Sequence, residues 1–555
     1  MKAFSKIKFL FLFVALLALC GGCNNNQSED QVETAASNVS VAFAGGGWRA
    51  HSGHSAWTIS LLQNGNRSLN DAFTNVKAVS SNSGGSWFST MLMYSPKFIS
   101  EIEAPNAITN WGISGWLGKQ EKFFNDATLC YLDSGETYTP CVLIDYTHSL
   151  TWAEGIEKVV YKDYSLGSTT LSGAHQPWAK DKPLLLGATL LTNEVVLNQE
   201  GILDLLRKRY YQVCFAPHTP VLNGHHGSSC SNGKIADVTP VTFSSIPSSS
   251  GMKTAAFFSA LQGGFSPQIK LGYTETKNDN PDIASASLAN PIHTSQVPVM
   301  IAASASSAAA GYAASKSVTG SWEESYLADK FALTFSLASN RAQHTSAKDM
   351  SVTTLANNKV VRVADGGAAD NSAVAQLVSY LQDNNLGNGF NIVAFDNVMD
   401  KPFTQSGYPV KIGTDLANLF GKGLCNGNQD CSGLNCTGVC VNVPNLKIFD
   451  DSALLNTPLT WVVDSSANGK DKIIIYTKYV VTTVGNGVFG VSAGSTGTLH
   501  AFSCIYTEAD TAPQNVTRDG DFNAYKAMMQ FIHSSLNANN GEGLKYLEAA
   551  LGISN

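Results

Sequence analysis

Two turns near the start of the chain hold residue types that can do chemistry. The first, Gly45-Gly46-Gly47-Trp48-Arg49, follows the largely apolar run VSVAFA (39–44). The second, Asn82-Ser83-Gly84-Gly85-Ser86-Trp87, follows VKAVSS (76–81). Each leads into a segment of helical pattern. Consecutive glycines leave backbone N–H groups open to an anion, because no Cβ shields them. A serine on a tight strand-to-helix turn is held up as an exposed nucleophile. Together they make an oxyanion hole facing a serine, the equipment of acyl transfer, where loss of one donor costs roughly 100- to 1000-fold in rate.

A serine hydroxyl is a weak nucleophile and needs an adjacent base. The candidate lies far downstream in KVVRVADGGAADNSAVAQLVSYL. Val360, Val361 and Val363 read as a short buried strand with Asp365 at its end. Gly366-Gly367 follow, and an amphipathic helix begins near Ser372. A carboxylate at the C-terminal edge of a strand lies where α/β sheets gather their catalytic groups. His500 and His533 come after Asp365, in the order Ser…Asp…His. A conventional triad, as in an exported esterase or protease, is therefore the rival enzyme reading.

GGGWRA, SNSGGSW and VADGG, in that order, resemble the three signature blocks of the patatin-like and cytosolic phospholipase A2/lysophospholipase superfamily. The resemblance covers 38–95 and 358–380, with weaker echoes at Pro183–Ala188 and Ile301–Ala310. It implies a three-layer α/β/α sandwich and a Ser–Asp dyad without a catalytic histidine. Ser83 would be the nucleophile, Asp365 the base, and Gly45, Gly46 and Gly47 the oxyanion loop. Arg49 matches the arginine that the phospholipase A2 branch places near the substrate phosphate, and Trp87 leans toward the same branch. The implied substrate is a phospholipid or lysophospholipid; the chemistry requires no metal and no cofactor. One residue departs from the pattern: the family carries Gly two positions before the nucleophile, and this chain has Ser81.

Plainer readings stand beside these. The glycine run could cradle a phosphate, but it lacks both the GKS/T of a P-loop and a full GxGxxG. Arg49 could be a surface residue at a helix start. Asp-Gly is a common turn, and Asp370 and Asn371 suit helix caps better than catalysis. Ser81 and a cysteine-rich insertion also admit a surface binding protein that has lost activity.

Residues 1–22 read as a signal peptide: Lys2, Lys6 and Lys8, then the apolar stretch Phe9 to Leu19, too short for a comfortable membrane span. Cys23 after two glycines resembles a bacterial lipobox, with Cys20 where Leu is usual. The expectation is an exported chain, anchored to a membrane surface at the cell envelope through lipid on Cys23, or simply secreted. Residues 23–37 read as a polar tether and 38–555 as one catalytic domain. Loss of the three signal lysines takes the formal charge from −7 to −10. That argues against nucleic acid and against polybasic attraction to anionic lipid. With 44% apolar and 14% charged residues the composition is globular.

Trp111, Trp116, Phe123, Phe124, Trp152 and Trp178 mark 100–180 as either a cap over the site or a buried insertion. Pro183–Thr192 reads as a central strand, 215–252 as a long loop, Lys472–Val484 as a strand and Phe522–Leu536 as a helix. Nine cysteines remain after Cys20 and Cys23 are set aside. Cys425, Cys431, Cys436 and Cys440 (within 420–445) read as a loop stapled by two disulfides, with zinc as the rival. Cys130/Cys141 and Cys214/Cys230 are plausible pairs, which leaves Cys504 odd. His225-His226 sit in the Ser/Gly-rich loop, where solvated histidines are commoner than metal ligands.

Overall fold

A computed structural model describes residues 38–125, 129–132, 137–140, 152–164, 166–167, 169–191, 214–217, 235–245, 271–273, 297–308, 333–337, 360–398, 412–421, 447–486, 489–507 and 521–554. Among these residues the strands are β1 (Val39–Phe43), β2 (Val76–Asn82), β3 (Leu129–Leu132), β4 (Thr137–Pro140), β5 (Leu184–Leu191), β6 (Cys214–Pro217), β7 (Ile235–Ser244), β8 (Leu271–Tyr273), β9 (Leu333–Leu337), β10 (Val360–Asp365), β11 (Phe390–Val398), β12 (Trp461–Asp464), β13 (Lys472–Thr482) and β14 (Thr496–Tyr506). The principal helices are α1 (Gly47–Gly65), α2 (Ser83–Tyr94), α3 (Val299–Ser306), α4 (Val374–Asp383) and α5 (Asp521–Ala550), the last broken between Ala538 and Gly541.

Twelve strands form one mixed sheet in the order β12-β13-β14-β11-β1-β2-β5-β10-β9-β8, with β7 on β5 and β6 on β7; β3 and β4 form a separate hairpin. At its centre β14, β11, β1, β2 and β5 are parallel, and antiparallel strands extend it on both sides. Such a centre is covered on both faces, so its strands carry apolar residues on both sides. Alternation sorts them. Val39, Val41, Phe43, Val79 and Phe395 pack with α1, α2 and α5, through Trp57, Phe88, Met528 and Ile532. Ala42, Ala78, Leu185 and Ala394 pack with α4, through Val374, Leu377 and Val378. The protein is thus an α/β fold with helices against both faces of the sheet.

The expected strands at 183–192 and 472–484 appear as β5 and β13, and the expected C-terminal helix as α5. The reading of 215–252 as a long loop is corrected. Ten of its residues form β7, which runs beside β5 from Leu185 to Leu191. Pairing with a central strand outweighs the Ser and Pro content that suggested a loop. Trp111, Trp116 and Trp178 are core residues of the 100–180 stretch, as a buried insertion requires. Phe123, Phe124 and Trp152, as side chains, lie outside the described residues. So do the proposed disulfide pairings and His225-His226. Cys504 is a free, buried thiol, as expected of the odd cysteine.

The register explains how distant segments meet. Along one flank β5 pairs with β7 without interruption. Its other flank is shared: β2 pairs with Leu184–Gly187, ending with Asn82 opposite Gly187, and β10 pairs with Ala188–Leu190, ending with Asp365 opposite Ala188. Two strands therefore run toward each other on the same flank and stop one residue apart. A Cβ on Gly187 would overlap the side-chain oxygens of Asn82 and Gln376. We expect Gly187→Ala to lose about 1–3 kcal/mol of unfolding free energy, as overpacked positions do. Exposed Gly485, where a Cβ would meet only Ala493 at 3.9 Å, should tolerate Ala within about 0.5 kcal/mol. Urea unfolding of the two variants checks this; equal midpoints would refute the close-approach explanation.

Candidate active site

The glycine loop and the serine turn interlock. After β1, the Ala44 amide donates to the Phe395 carbonyl (3.0 Å) and the Gly45 amide to the Asn371 carbonyl (2.9 Å). Gly46 then turns at φ 130°, a conformation L side chains rarely adopt, and α1 begins at Gly47. After β2, Ser83 sits at φ 48° and opens α2. A non-glycine residue in this left-handed region costs of order 1–3 kcal/mol and persists only where its surroundings enforce it. Gly84 and Gly85 allow the contact between the turns: a Cβ on either would overlap the backbone of Gly47 or of Phe43 and Ala44.

The Ser83 hydroxyl donates to Asp365 Oδ2 at 2.8 Å, the distance of a general base from its nucleophile. The other carboxylate oxygen, Oδ1, accepts the Gly367 amide at 2.7 Å, and Thr189 Oγ1 donates to the Asp365 carbonyl at 2.8 Å. Both residues are almost fully buried, each 7% exposed. Burial raises the Asp365 pKa to about 6, against the opposing pull of the Gly367 and Ser83 hydrogen bonds. At neutral pH the carboxylate is mostly ionised yet basic enough to take a proton.

The donors available to an oxyanion are narrower than the sequence suggests. Gly45 does not present its amide, which is spent on Asn371. Among the described residues the Gly46 and Gly47 amides donate to no backbone carbonyl. They lie at the N-terminus of a 19-residue helix, where first-turn amides are unpaired and the helix dipole favours negative charge. Arg49 is 6% exposed. Its Nε donates to the Asn397 carbonyl at 2.6 Å, and its Nη2 lies 2.7 Å from where a Gly46 Cβ would stand. The guanidinium is therefore packed against the glycine loop.

Other expected residues fall outside the dyad. Asp370, read from sequence as a helix cap, is not the N-cap of α4, which is Ala373; it accepts from the amides of Ser372 and of Ala375 in the first turn of that helix. Asn371 donates to Asp415. Ser81, the departure from the family pattern, points its hydroxyl to Ser89 at 2.6 Å in a buried cluster. His500 pairs in register with Val393, which faces Val41, which faces Val79. Three strand spacings, about 14 Å, separate it from β2. Its Nδ1 meets the Tyr476 hydroxyl at 2.9 Å, and burial lowers its pKa to about 3. His533 contacts Ser60. Neither histidine touches Ser83 or Asp365. Cys23 lies outside the described residues.

Sequence reasoning missed a buried histidine behind the loop. His54 Nε2 meets the Ala44 carbonyl at 2.8 Å and its Nδ1 meets Asn397 Nδ2 at 3.1 Å. Burial takes its pKa down to about 4. The ring is therefore neutral, donating to Ala44 and accepting from Asn397. Nothing in the sequence set it apart from the other polar residues of α1, His51 and Ser55 among them. Among the described residues no group of His, Cys, Asp and Glu is gathered to hold a metal ion, and no helix is long and apolar enough to cross a membrane. No family model and no curated protein matches the chain.

The dyad gives a signed pH expectation. Because the folded pKa of Asp365 lies above its ordinary 3.8, the native chain binds more protons than the unfolded one between pH 3.8 and about 6. This group therefore weakens stability as pH rises through that window, by on the order of 3 kcal/mol once pH exceeds 6. Asp365→Asn should unfold at higher urea than the wild type at pH 8, and that advantage should shrink toward pH 4. A variant less stable than the wild type at pH 8 would contradict the buried-charge account.

Proposed function

We propose that the protein is a serine-dependent lipid acyl hydrolase, a phospholipase A or lysophospholipase. Ser83 and Asp365 act as a dyad to release fatty acids from glycerophospholipids. The observation that carries this is the hydrogen bond from the Ser83 hydroxyl to Asp365 at a left-handed turn packed against the glycine loop. The three sequence blocks resembling the patatin and phospholipase A2 superfamily supply the substrate class, and the layered sheet agrees with that resemblance at the level of an α/β fold.

In the proposed reaction Asp365 takes the Ser83 proton as Oγ attacks the ester carbonyl. The Gly46 and Gly47 amides hold the oxyanion. Collapse breaks the ester C–O bond, and the departing alkoxide takes the proton from Asp365. Water then gives a proton to Asp365 and attacks the acyl-serine; Ser83 leaves with that proton, and the fatty acid is released. Arg49, beside Gly46, adds positive potential to the loop and is the candidate for the lipid phosphate. The export signal and lipidation of Cys23 would place the enzyme at a membrane surface, where its substrate lies.

The test is fatty-acid release from phosphatidylcholine and lysophosphatidylcholine with a chelator present. We expect release by the wild type, loss of at least about 1000-fold in Ser83→Ala, and retention in His500→Ala and His533→Ala. Loss in either histidine variant, with the fold intact, would favour a triad. No release from either lipid would sink the phospholipase assignment. Separately, kcat/KM should fall below pH about 6 as Asp365 becomes protonated; a flat profile down to pH 4.5 would remove Asp365 as the base.

A further inference from the structure

We propose that Ser306, the last residue of α3, is a positioning residue that locks the nucleophile turn onto the end of β5. In its catalytic sense the inference rests on the dyad reading above. Ser306 is fully buried, and its single hydroxyl group meets three partners. It donates to the Gly187 carbonyl at 2.5 Å. Its one proton being so committed, the oxygen accepts from the Ser83 amide at 3.1 Å and from the Ser86 hydroxyl at 2.7 Å. The direction of the chain is thereby fixed: Ser86 Oγ–H to Ser306, and Ser306 Oγ–H to Gly187.

The same residue reaches the other half of the dyad through its backbone. The Gly366 amide, next to Asp365, donates to the Ser306 carbonyl at 2.9 Å. Ser307 adds a second anchor one helical turn along α2, accepting from Trp87 Nε1 at 2.8 Å. One pair of consecutive serines thus holds the amide of the nucleophile, the strand at which β2 and β10 meet, and the residue following the base. The left-handed Ser83 conformation needs such enforcement. A Ser83 amide left without an acceptor in a buried site would relax by moving the turn, and Oγ with it. Displacement of a reacting atom by about 1 Å costs on the order of 100-fold in rate.

The test compares the purified wild type with Ser306→Ala, Ser306→Cys and Thr90→Val. Cysteine is close in size to serine but a weak donor and acceptor, and serves should alanine not fold. Thr90 is the control: its buried hydroxyl lies on α2, the helix that Ser83 opens, bonds the Tyr161 hydroxyl at 2.6 Å and touches neither half of the dyad. Two quantities are read. One is the rate of covalent labelling by an alkyl fluorophosphonate, located by peptide mass spectrometry. The other is amide hydrogen exchange at Ser83 and Gly366.

We expect Ser306→Ala to slow labelling of Ser83 by at least about 10-fold and to speed exchange of the Ser83 amide by a similar factor. The Gly366 amide, held by the unaltered backbone carbonyl, should keep its protection. Thr90→Val should leave both readings unchanged. Wild-type labelling in a folded Ser306→Ala or Ser306→Cys would overturn the proposal. If the wild type itself is not labelled, the nucleophile reading fails, and exchange decides the clamp: faster exchange confined to the Ser83 turn upholds it, and unchanged exchange refutes it.

Discussion

The hydrogen bond from Ser83 to Asp365 exists because β2 and β10 approach each other along one flank of β5 and stop one residue apart. Neither strand places its half of the pair alone. β2 supplies a parallel central strand whose end must turn sharply into α2; β10 arrives from the opposite direction, 282 residues later in the chain. What makes the junction close is the lack of side chains around it. Gly187 leaves room for Asn82 and Gln376, and Gly84 leaves room for Gly47. Tight packing of this kind is felt at the level of single methyl groups, so the site and the sheet centre form one mechanical unit.

Electrostatics follows from that geometry. A buried carboxylate with one amide donor and one hydroxyl donor is held basic by desolvation rather than by a neighbouring negative charge. It can therefore accept the serine proton without a histidine between them. The Ser83 turn packs against the N-terminus of α1, whose first-turn amides and dipole favour negative charge. One of the two buried histidines of α1, His54, is neutral and works as a hydrogen-bond relay from Asn397 to the Ala44 carbonyl. The polar groups around the loop thus fix backbone positions, the buried Arg49 among them through the Asn397 carbonyl.

Local features of this arrangement were legible in the sequence. Consecutive glycines after an apolar run, a serine in a Ser/Gly turn and an aspartate closing a valine-rich strand each have a physical reason to stand where they do. The periodicity of Lys472–Val484 and of Phe522–Leu536 was equally plain. Long-range partnerships were not. Nothing about Asn371 in the sequence says that its carbonyl will occupy the Gly45 amide, and nothing in a run of small residues singles out Ser306 from Ser304 or Ser307. β7 was hidden because its strand character depends on β5 as a neighbour. The aromatic stretch was ambiguous because Trp111 and Trp116 would suit a cap or a core, and their burial, with Trp116 packed on His51 at a ring-centroid distance of 3.6 Å, distinguishes the two.

The most direct test of the central claim is to trap the acyl-enzyme. The purified protein would be mixed with an activated fatty-acyl ester, acid-quenched within the first turnover and analysed by peptide mass spectrometry. We expect the acyl mass on the peptide that contains Ser83, with none in Asp365→Asn although that variant remains folded. Turnover with the acyl group on another residue, or equal acylation in Asp365→Asn, would contradict a Ser83–Asp365 dyad.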